Sequence, residues 1–344
     1  MAKQHHYYAN LDIAKTVLAL LVVTLHVFLN SPNPKLYPLL NPVTRIAVPT
    51  FFILSSYFFF RKIKGVNWTG RVSYLRHAEL RYIGLYVFWF VVLLPITLIA
   101  DREVISSGRQ FVTQLLFNST FADSWYIMAL ILGIPIILIL TKLFGNYGAL
   151  IISIFANGLA LFTTNYANTV LGLRVMKHWY ALPITIYPYQ AFPVALLWIV
   201  IGKLFADEQV RVNRVHLWRL GAVCSIIALY IEQQIVLHMH WDIHGDAFFM
   251  LIPTCIFLFG LLISMGKGRI SSLWLHAFAT VTYCLHGSLI RVANIIAMHM
   301  HFQMTTNLNH LVVWILIILT CTLVTLVLTK LASFKPLKWL RFAY

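Results

Sequence analysis

Ten long apolar runs constrain the fold of this 344-residue chain more than any other feature. A run of roughly 17 to 25 apolar residues is long enough to cross a bilayer as a helix. Only 10% of the residues are charged, whereas soluble domains carry about 25%. We therefore predict an all-α, polytopic transmembrane bundle of about ten helices. Residues 1–344 would form a single integral-membrane domain with no soluble extracytoplasmic domain. The runs are 11–30, 44–60, 82–100, 124–143, 148–164, 190–206, 217–236, 247–265, 274–297 and 309–331.

The distribution of positive charge predicts how these helices are oriented. The alternate loops and the adjoining ends of the runs on one side of the predicted bundle hold 18 of the 26 lysines and arginines, and the loops on the other side hold 5. An excess of lysine and arginine marks the cytoplasmic side of a membrane protein. The split predicts an even number of helices with both termini in the cytoplasm. It also explains the net charge of +16 without nucleic acid as a partner.

The first run places two costly polar residues on one helical stripe. Lys15 and His26 are eleven residues apart, which on an α-helix is three turns plus about 20°, and about 16 Å along the axis. Ionisable residues inside a membrane are expensive and are usually functional. His26 is either a packing histidine bonded to a neighbouring helix, or a general base whose neutral imidazole takes a proton from a hydroxyl.

Polar residues near the ends of the second and fourth runs give further candidates. Arg45 opens the second run, either as a snorkelling interfacial arginine or as an anion clamp, and Pro49 predicts a kink close to it. Asp123 precedes Trp125 and Tyr126 at the start of the fourth run. The two aromatic residues suit an interfacial belt, but Asp123 beside them could also orient a histidine or hold a sugar hydroxyl.

The ninth run and a basic loop contribute the remaining candidates. His286 and Arg291 lie five residues apart in the ninth run. Arg291 should face the bundle interior and find a carboxylate, a carbonyl or a ligand anion. Arg71, Arg76 and Arg81 belong to a predicted cytoplasmic loop. They mark topology first, and they could also meet anionic lipid headgroups or the phosphates of a cytoplasmic cofactor.

A loop between the seventh and eighth runs is rich in possible metal ligands. Its spacing matches none of the common ligand patterns, and loop histidines are commonly solvated. We therefore favour solvated side chains and predict no metal. The residues are His238, His240, Asp242, His244 and Asp246.

Four local patterns, in order along most of the chain, resemble the acyltransferase 3 family of bacterial integral-membrane O-acyltransferases. The family's arginine, ten residues and histidine appear here as Lys15 and His26. The second run reads R-I-A-V-P-T-F-F-I-L-S-S-Y-F, with Ser56 where the family has glycine. The fourth run opens S-W-Y-I-M-A-L, and the ninth contains T-V-T-Y-C-L-H-G.

This resemblance implies a reaction and a place in the cell. A short acyl group, acetyl or succinyl, would pass from cytoplasmic acyl-CoA to a hydroxyl of a cell-surface or lipid-linked glycan. The enzyme would be a multi-pass protein of the bacterial cytoplasmic (inner) membrane, in contact with its lipids. The resemblance also implies His26 as the catalytic histidine. For an enzyme of this kind, we expect Arg45 and Asp123 to assist His26. Substrate-binding residues would be Lys15, Trp125, Tyr126, His286 and Arg291, and the donor would meet Arg71, Arg76 and Arg81.

Two functions other than acyl transfer are compatible with these residues. An exporter of a glycan or lipid-linked sugar could use the polar interior as a passage. A scaffold within a polysaccharide-synthesis complex would need no chemistry. Transport usually tolerates replacement of a histidine by its amide analogue, whereas general-base catalysis does not, so His26 distinguishes the first alternative from the enzyme.

The predicted orientation can be tested by cysteine labelling. With the four native cysteines replaced, a single cysteine in the 237–246 loop should react with a membrane-impermeant thiol reagent on intact cells. The reason is that this loop belongs to the set poor in lysine and arginine. A matched cysteine in the 61–81 segment should react only after permeabilisation. The reverse pattern would overturn the orientation.

Overall fold

The structure is a computed structural model that describes residues 9–28, 35–100, 107–182, 186–210, 212, 214–265, 273–300 and 306–344. These ranges contain twelve α-helices and two 3₁₀ segments, Pro188–Gln190 and Lys335–Ala343, and no β-strand. The helices are α1 (Ala9–Phe28), α2 (Leu36–Arg45), α3 (Ala47–Ile63), α4 (Trp68–Ala100), α5 (Gly108–Phe117), α6 (Trp125–Phe162), α7 (Val170–Trp179), α8 (Phe192–Ala206), α9 (Val215–His238), α10 (Leu251–Ser264), α11 (Leu273–His299) and α12 (Asn307–Leu331).

Each of the ten predicted runs overlaps a helix of this bundle. Within the described ranges, seven helical segments are long and apolar enough to cross a membrane. Runs 124–143 and 148–164 form α6 together, which bends at Gly145, where φ is 68°. The helices α8 and α10 are shorter, at 15 and 14 residues. The all-helical, multi-pass architecture is confirmed, whereas ten crossings and cytoplasmic termini stay predictions.

The second helical segment starts earlier than predicted and is interrupted. It begins at Leu36 instead of residue 44, and Arg45 ends α2 instead of opening a run. Ile46 separates α2 from α3. The interruption lies close to Pro49, as the sequence predicts, because proline has no N–H to donate to the carbonyl of Arg45 one turn back.

The basic segment predicted as a loop is also helical. The helix α4 begins at Trp68, fourteen residues before the predicted start at 82, so Arg71, Arg76 and Arg81 lie on its first turns. Hydrophobicity falls at these arginines, which is why an apolar run ends there. Helix propensity does not fall, because arginine is among the better helix formers.

The end of the described chain folds back onto α4. The indole nitrogen of Trp89 donates a hydrogen bond of 3.0 Å to the carbonyl of Ala343. The ring of Phe342 packs against Gly84, where a Cβ would lie 2.6 Å from it. The 3₁₀ segment Lys335–Ala343 is thereby held against α4.

The helices α1 and α11 pack side by side and run in the same direction. Lys15 near the start of α1 lies against His276 near the start of α11. His26 near the end of α1 lies against His286 further along α11. These two contacts fix the register between the helices, and they bring together the polar residues on which the site depends.

Close packing of α8 on α3 leads to a stability prediction. A Cβ on Gly202 of α8 would lie 2.5 Å from the carbonyl oxygen of Ile53 and collide with the Ser56 hydroxyl of α3. Gly202→Ala should therefore destabilise the bundle by about 1–3 kcal/mol. The matched control is Gly158→Ala, because a Cβ there meets nothing within 4 Å.

Thermal unfolding of the purified protein in detergent measures both variants. Gly202→Ala should lower the unfolding midpoint, and Gly158→Ala should leave it unchanged or raise it. Equal midpoints for the two variants would contradict the close α3–α8 contact.

Candidate functional site

Two histidines and one aspartate meet where α1, α11 and the segment before α6 come together. The Nε2 atom of His26 lies 3.7 Å from Asp123 Oδ1. The Nε2 atom of His286 lies 3.5 Å from Asp123 Oδ2. The two imidazole rings have centroids 5.2 Å apart. We call these three residues the His–Asp–His cluster. It unites three residues that the sequence predicts for the site.

A constrained turn holds Asp123 in this position. Its φ of 60° is in the left-handed region, which aspartate tolerates better than most residues. The hydroxyl of Ser124 accepts a 3.1 Å hydrogen bond from the backbone N–H of Thr120. The hydroxyl of Tyr283 donates to the carbonyl of Asp123. A Cβ on Gly287 would lie 2.5 Å from Asp123 Oδ2, so only glycine lets the carboxylate approach α11.

The two histidines of the cluster differ in accessibility. His286 is fully buried, and its Nδ1 lies 2.8 Å from the carbonyl of Tyr283. Because a carbonyl only accepts, Nδ1 must carry the proton. The Nε2 of His286 faces Asp123 Oδ2 and has no hydrogen-bond partner among the described residues. The side chain of His26 is 33% exposed. His26 is therefore the histidine that a substrate can reach.

A cavity of about 460 Å³ lies on the Lys15 side of the cluster. Among the residues that line it, Lys15, Lys62 and Arg81 carry positive charge. We call it the cationic cavity. Aromatic and small residues form most of its walls, with Phe342 and Tyr344 of the chain end at one side. The other lining residues are Phe51, Ser55, Phe58, Phe59, Tyr74, His77, Ala78, Tyr82, Leu85, Tyr126, Ile127, Leu130, His276, Ala279, Thr280, Tyr283 and Cys284.

Lys15 is held at the wall of the cationic cavity by three contacts. Its Nζ lies 3.4 Å from Asp12 Oδ1 and 3.5 Å from His276 Nδ1. It also sits 5.0 Å from the centre of the Phe58 ring, a cation–π distance. Because an ammonium only donates, His276 Nδ1 must be the acceptor. Lys15 is thus a fixed positive charge at the wall.

Three aromatic rings line the cavity where it approaches the cluster. The centroids of Tyr126 and Tyr283 are 5.0 Å apart, and Phe51 packs against both. Tyr126 shares a 2.9 Å hydrogen bond with the Ser55 hydroxyl. Tyr283 touches both regions, since it lines the cavity and packs against His286. Tyr126 therefore lies at this aromatic layer, close to the place that the sequence predicts for it.

A second, smaller cavity of about 190 Å³ lies on the opposite side. We call it the polar cavity. Its described lining residues are mostly polar and include Arg291. The lining is Gln114, Asn118, Ser119, Thr120, Phe121, Tyr187, Gln190 and Arg291.

The helix α11 orders these features along one axis. His276 lines the cationic cavity, Tyr283 the aromatic layer, His286 the cluster and Arg291 the polar cavity. At 1.5 Å per residue, His276 and Arg291 are about 22 Å apart along the helix. The cluster thus lies between a cationic cavity and a polar cavity.

Arg45 has other partners. Its Nε donates a 2.9 Å hydrogen bond to Asn41 Oδ1, and its guanidinium pairs with Asp246. Asp246 belongs to the segment between α9 and α10, so this ion pair ties that segment to the end of α2. The structure does not bring Arg45 into contact with the His–Asp–His cluster, and its catalytic role stays a prediction.

Of the three arginines predicted to bind the donor, one lines the cationic cavity. That residue is Arg81. Arg71 donates a 2.7 Å hydrogen bond to the carbonyl of Val66, which lies just before α4. Arg76 is exposed and does not line the cavity. The three residues separate because α4 is a helix here, on which positions five apart point in different directions.

Trp125 has a structural position beside the cluster. Its backbone N–H donates to the Ser119 hydroxyl at 3.1 Å, and its ring packs on Phe52 at 5.9 Å. It lines neither of the two cavities described above. Its predicted contact with substrate stays a prediction.

Metal binding has a geometric candidate at the cluster instead of the His-rich loop. The ligand atoms of His26, Asp123 and His286 lie within 4.8 Å of one another, and divalent metals accept such a donor set. Among the described residues, the 238–246 loop forms no group of this kind. The expectation that the protein uses no metal stays a prediction.

Sequence reasoning missed several parts of the site. His276, Tyr283 and the chain end from Phe342 to Tyr344 were not candidates for the cationic cavity, nor was Asn118 for the polar one. One signal was present: His276 and His286 are ten residues apart in the ninth run, close to the spacing of Lys15 and His26. Because α1 and α11 pack in parallel, these similar spacings place Lys15 against His276 and His26 against His286.

Comparison with known proteins agrees with the sequence motifs. A family model described as an acyltransferase domain matches residues 8–330. Two curated relatives from Enterococcus faecalis, each called an amino-acid racemase, are 24% identical over 344 residues and 20% identical over 317 residues. These alignments cover 96% and 90% of this chain but 46% and 44% of the relatives, so the chain spans about half their length. No solved structure matches the chain. The motif resemblance is confirmed, and the chain belongs to the acyltransferase 3 family.

Proposed function

We propose that this protein transfers a short acyl group, acetyl or succinyl, from cytoplasmic acyl-CoA to a hydroxyl of a cell-surface or lipid-linked glycan. The observation that carries the proposal is the His–Asp–His cluster between two cavities of different character. A two-substrate transfer needs a base that both substrates can approach, and this arrangement offers one.

The cationic cavity suits the donor. Acyl-CoA carries several phosphate charges, and Lys62 and Arg81 provide positive charge in the lining. Aromatic walls suit an adenine ring or an apolar arm. The cavity volume of about 460 Å³ lies within the usual range for small-molecule pockets. The thioester end of the donor would point towards the aromatic layer of Tyr126 and Tyr283, and so towards the cluster.

The proposed chemistry is general-base acyl transfer. The acceptor hydroxyl oxygen attacks the thioester carbonyl, so that a carbon–oxygen bond forms and the carbon–sulfur bond breaks. His26 takes the hydroxyl proton and returns it to the departing CoA thiolate. Asp123 lies 3.7 Å from His26, beyond a hydrogen bond but close enough to stabilise the imidazolium by charge. The buried ring of His286 lies 3.5 Å from the other carboxylate oxygen of Asp123.

Comparison of two histidine variants tests the base. General-base catalysis contributes about 10²–10⁴-fold to a rate, so His26→Gln should remove nearly all glycan acylation. His286→Gln should retain more activity, because this buried ring acts through Asp123. Mass spectrometry of surface glycan from cells with matched membrane abundance of each variant measures the effect.

A histidine far from the cluster is the control for that comparison. His178→Gln changes an exposed residue of α7 and should leave acylation at the wild-type level. Wild-type acylation in His26→Gln with loss in His286→Gln would move the base to α11. Wild-type acylation in both variants would refute base catalysis at the cluster and favour the exporter.

Donor binding can be measured separately from turnover. Calorimetry should detect acetyl-CoA binding to the purified protein at low salt, with affinity falling as salt screens the charges. Arg81→Gln should weaken binding because it removes a charge that lines the cationic cavity. Arg219→Gln, an equal loss of charge at an exposed position of α9, should not. Absence of binding, or equal weakening by both changes, would contradict the donor site.

The name of the curated relatives favours a second candidate, racemisation of an amino acid. A racemase must remove and replace a proton at the α-carbon, which requires a base that the substrate can reach. His26, whose side chain is 33% exposed, is such a base. Incubation of the purified protein with L-alanine in heavy water tests this candidate. Deuterium at the α-carbon would support it. If a preparation that acylates glycan incorporates no deuterium, racemisation is refuted and acyl transfer is the activity that the experiments support.

A further inference from the structure

The polar cavity points to the class of acceptor, an inference that rests on the acyl transfer proposed above. We infer that this cavity is the acceptor subsite and that it selects acceptors with an anionic group, a phosphate or a carboxylate, beside the hydroxyl to be acylated. Arg291 would hold the anionic group, and Asn118 would accept a hydrogen bond from a neighbouring hydroxyl or amide.

The cavity lies within reach of the His–Asp–His cluster. Gly287 and Arg291 are four residues apart on α11, which means about 40° of rotation and about 6 Å of rise. They therefore share one face of the helix. Gly287 contacts Asp123 on this face, and Arg291 lines the cavity one turn further along. A hydroxyl next to a group held by Arg291 would face the cluster.

The segment before α6 joins the two regions from the other side. Residues 118–121 line the polar cavity, while Asp123, two residues later, belongs to the cluster. Ser124 fixes this short turn through hydrogen bonds to the backbone of Thr120 and Phe121. One hydrogen-bonded turn thus carries residues of both the polar cavity and the cluster.

An unsatisfied polar atom indicates a ligand in the polar cavity. The side chain of Asn118 is buried, with the residue only 7% exposed. Its Oδ1 has no hydrogen-bond partner among the described residues. Buried polar groups in folded proteins are nearly always paired. A hydroxyl or amide donor of a bound acceptor would satisfy this oxygen.

The charge of the cavity indicates the sign of that ligand. Arg291 brings a guanidinium with five N–H donors to the lining. The planar guanidinium matches carboxylate and phosphate oxygens in a two-pronged geometry. The amide and hydroxyl groups of Gln114, Ser119 and Gln190 suit the remaining hydroxyls of a sugar.

Three probe acceptors that differ in charge test the inference. The purified protein is given acetyl-CoA with glucose, glucuronate or glucose 1-phosphate at constant ionic strength. Wild-type protein should show a lower KM for at least one of the two anionic sugars than for glucose. Arg291→Gln should raise the KM for that anionic sugar about tenfold or more, the usual effect of losing a hydrogen bond to a charged group, and should leave the KM for glucose unchanged.

Two further variants separate this role from a structural one. Arg291→Lys keeps the charge and should recover part of the preference for the anionic sugar. Lys177→Gln, an equal loss of charge at an exposed position of α7, should behave as wild type. A preference for glucose 1-phosphate alone would assign a phosphate acceptor, and a preference for glucuronate alone an acidic sugar. Equal KM values for all three sugars in wild type, or no change in Arg291→Gln, would overturn the inference.

A binding measurement distinguishes failure of this inference from failure of the proposed function. If wild-type protein acylates none of the probes, the reaction is not the one proposed for these sugars. Thermal stabilisation by glucose 1-phosphate and by glucuronate then decides the anion site directly. Stabilisation of wild type that is lost in Arg291→Gln would support the site, and absence of stabilisation by both probes would overturn it.

Discussion

The parallel packing of α1 against α11 is the interaction on which the rest of the site depends. Each helix carries polar side chains that would be costly to leave unpaired in an apolar surrounding. Because the helices run in the same direction, Lys15 meets His276 and His26 meets His286. One interface thereby positions both a fixed charge and the His–Asp–His cluster.

Much of the helical scaffold could be predicted because hydrophobicity is a local property. Each of the ten apolar runs corresponds to helix, and the motifs around His26 and His286 indicate the family. Helix ends were harder to predict. The arginines from Arg71 to Arg81 end an apolar run but continue α4, because solvated side chains do not interrupt a helix that propensity supports.

Contacts between side chains could be predicted less well than helices. Such contacts depend on the register between segments that are distant in sequence. The sequence singles out His26, Asp123 and His286 separately, and only their packing makes them one cluster. Arg45 shows the opposite outcome. It was a candidate for the same site, but Asp246, 201 residues further along the chain, satisfies its charge elsewhere.

The continuous helix α11 has a consequence for how this protein can change during evolution. Its side chains line two cavities and contribute to the cluster, and all of them belong to one continuous helix. One residue inserted between His276 and Arg291 would turn everything beyond it by about 100° and shift it by about 1.5 Å. The side chains that line one cavity would then no longer have their present orientation relative to those that line the other, although every residue type was kept. Length variation in relatives with the same arrangement should therefore collect outside this stretch, while substitutions within it can still alter which substrates are accepted.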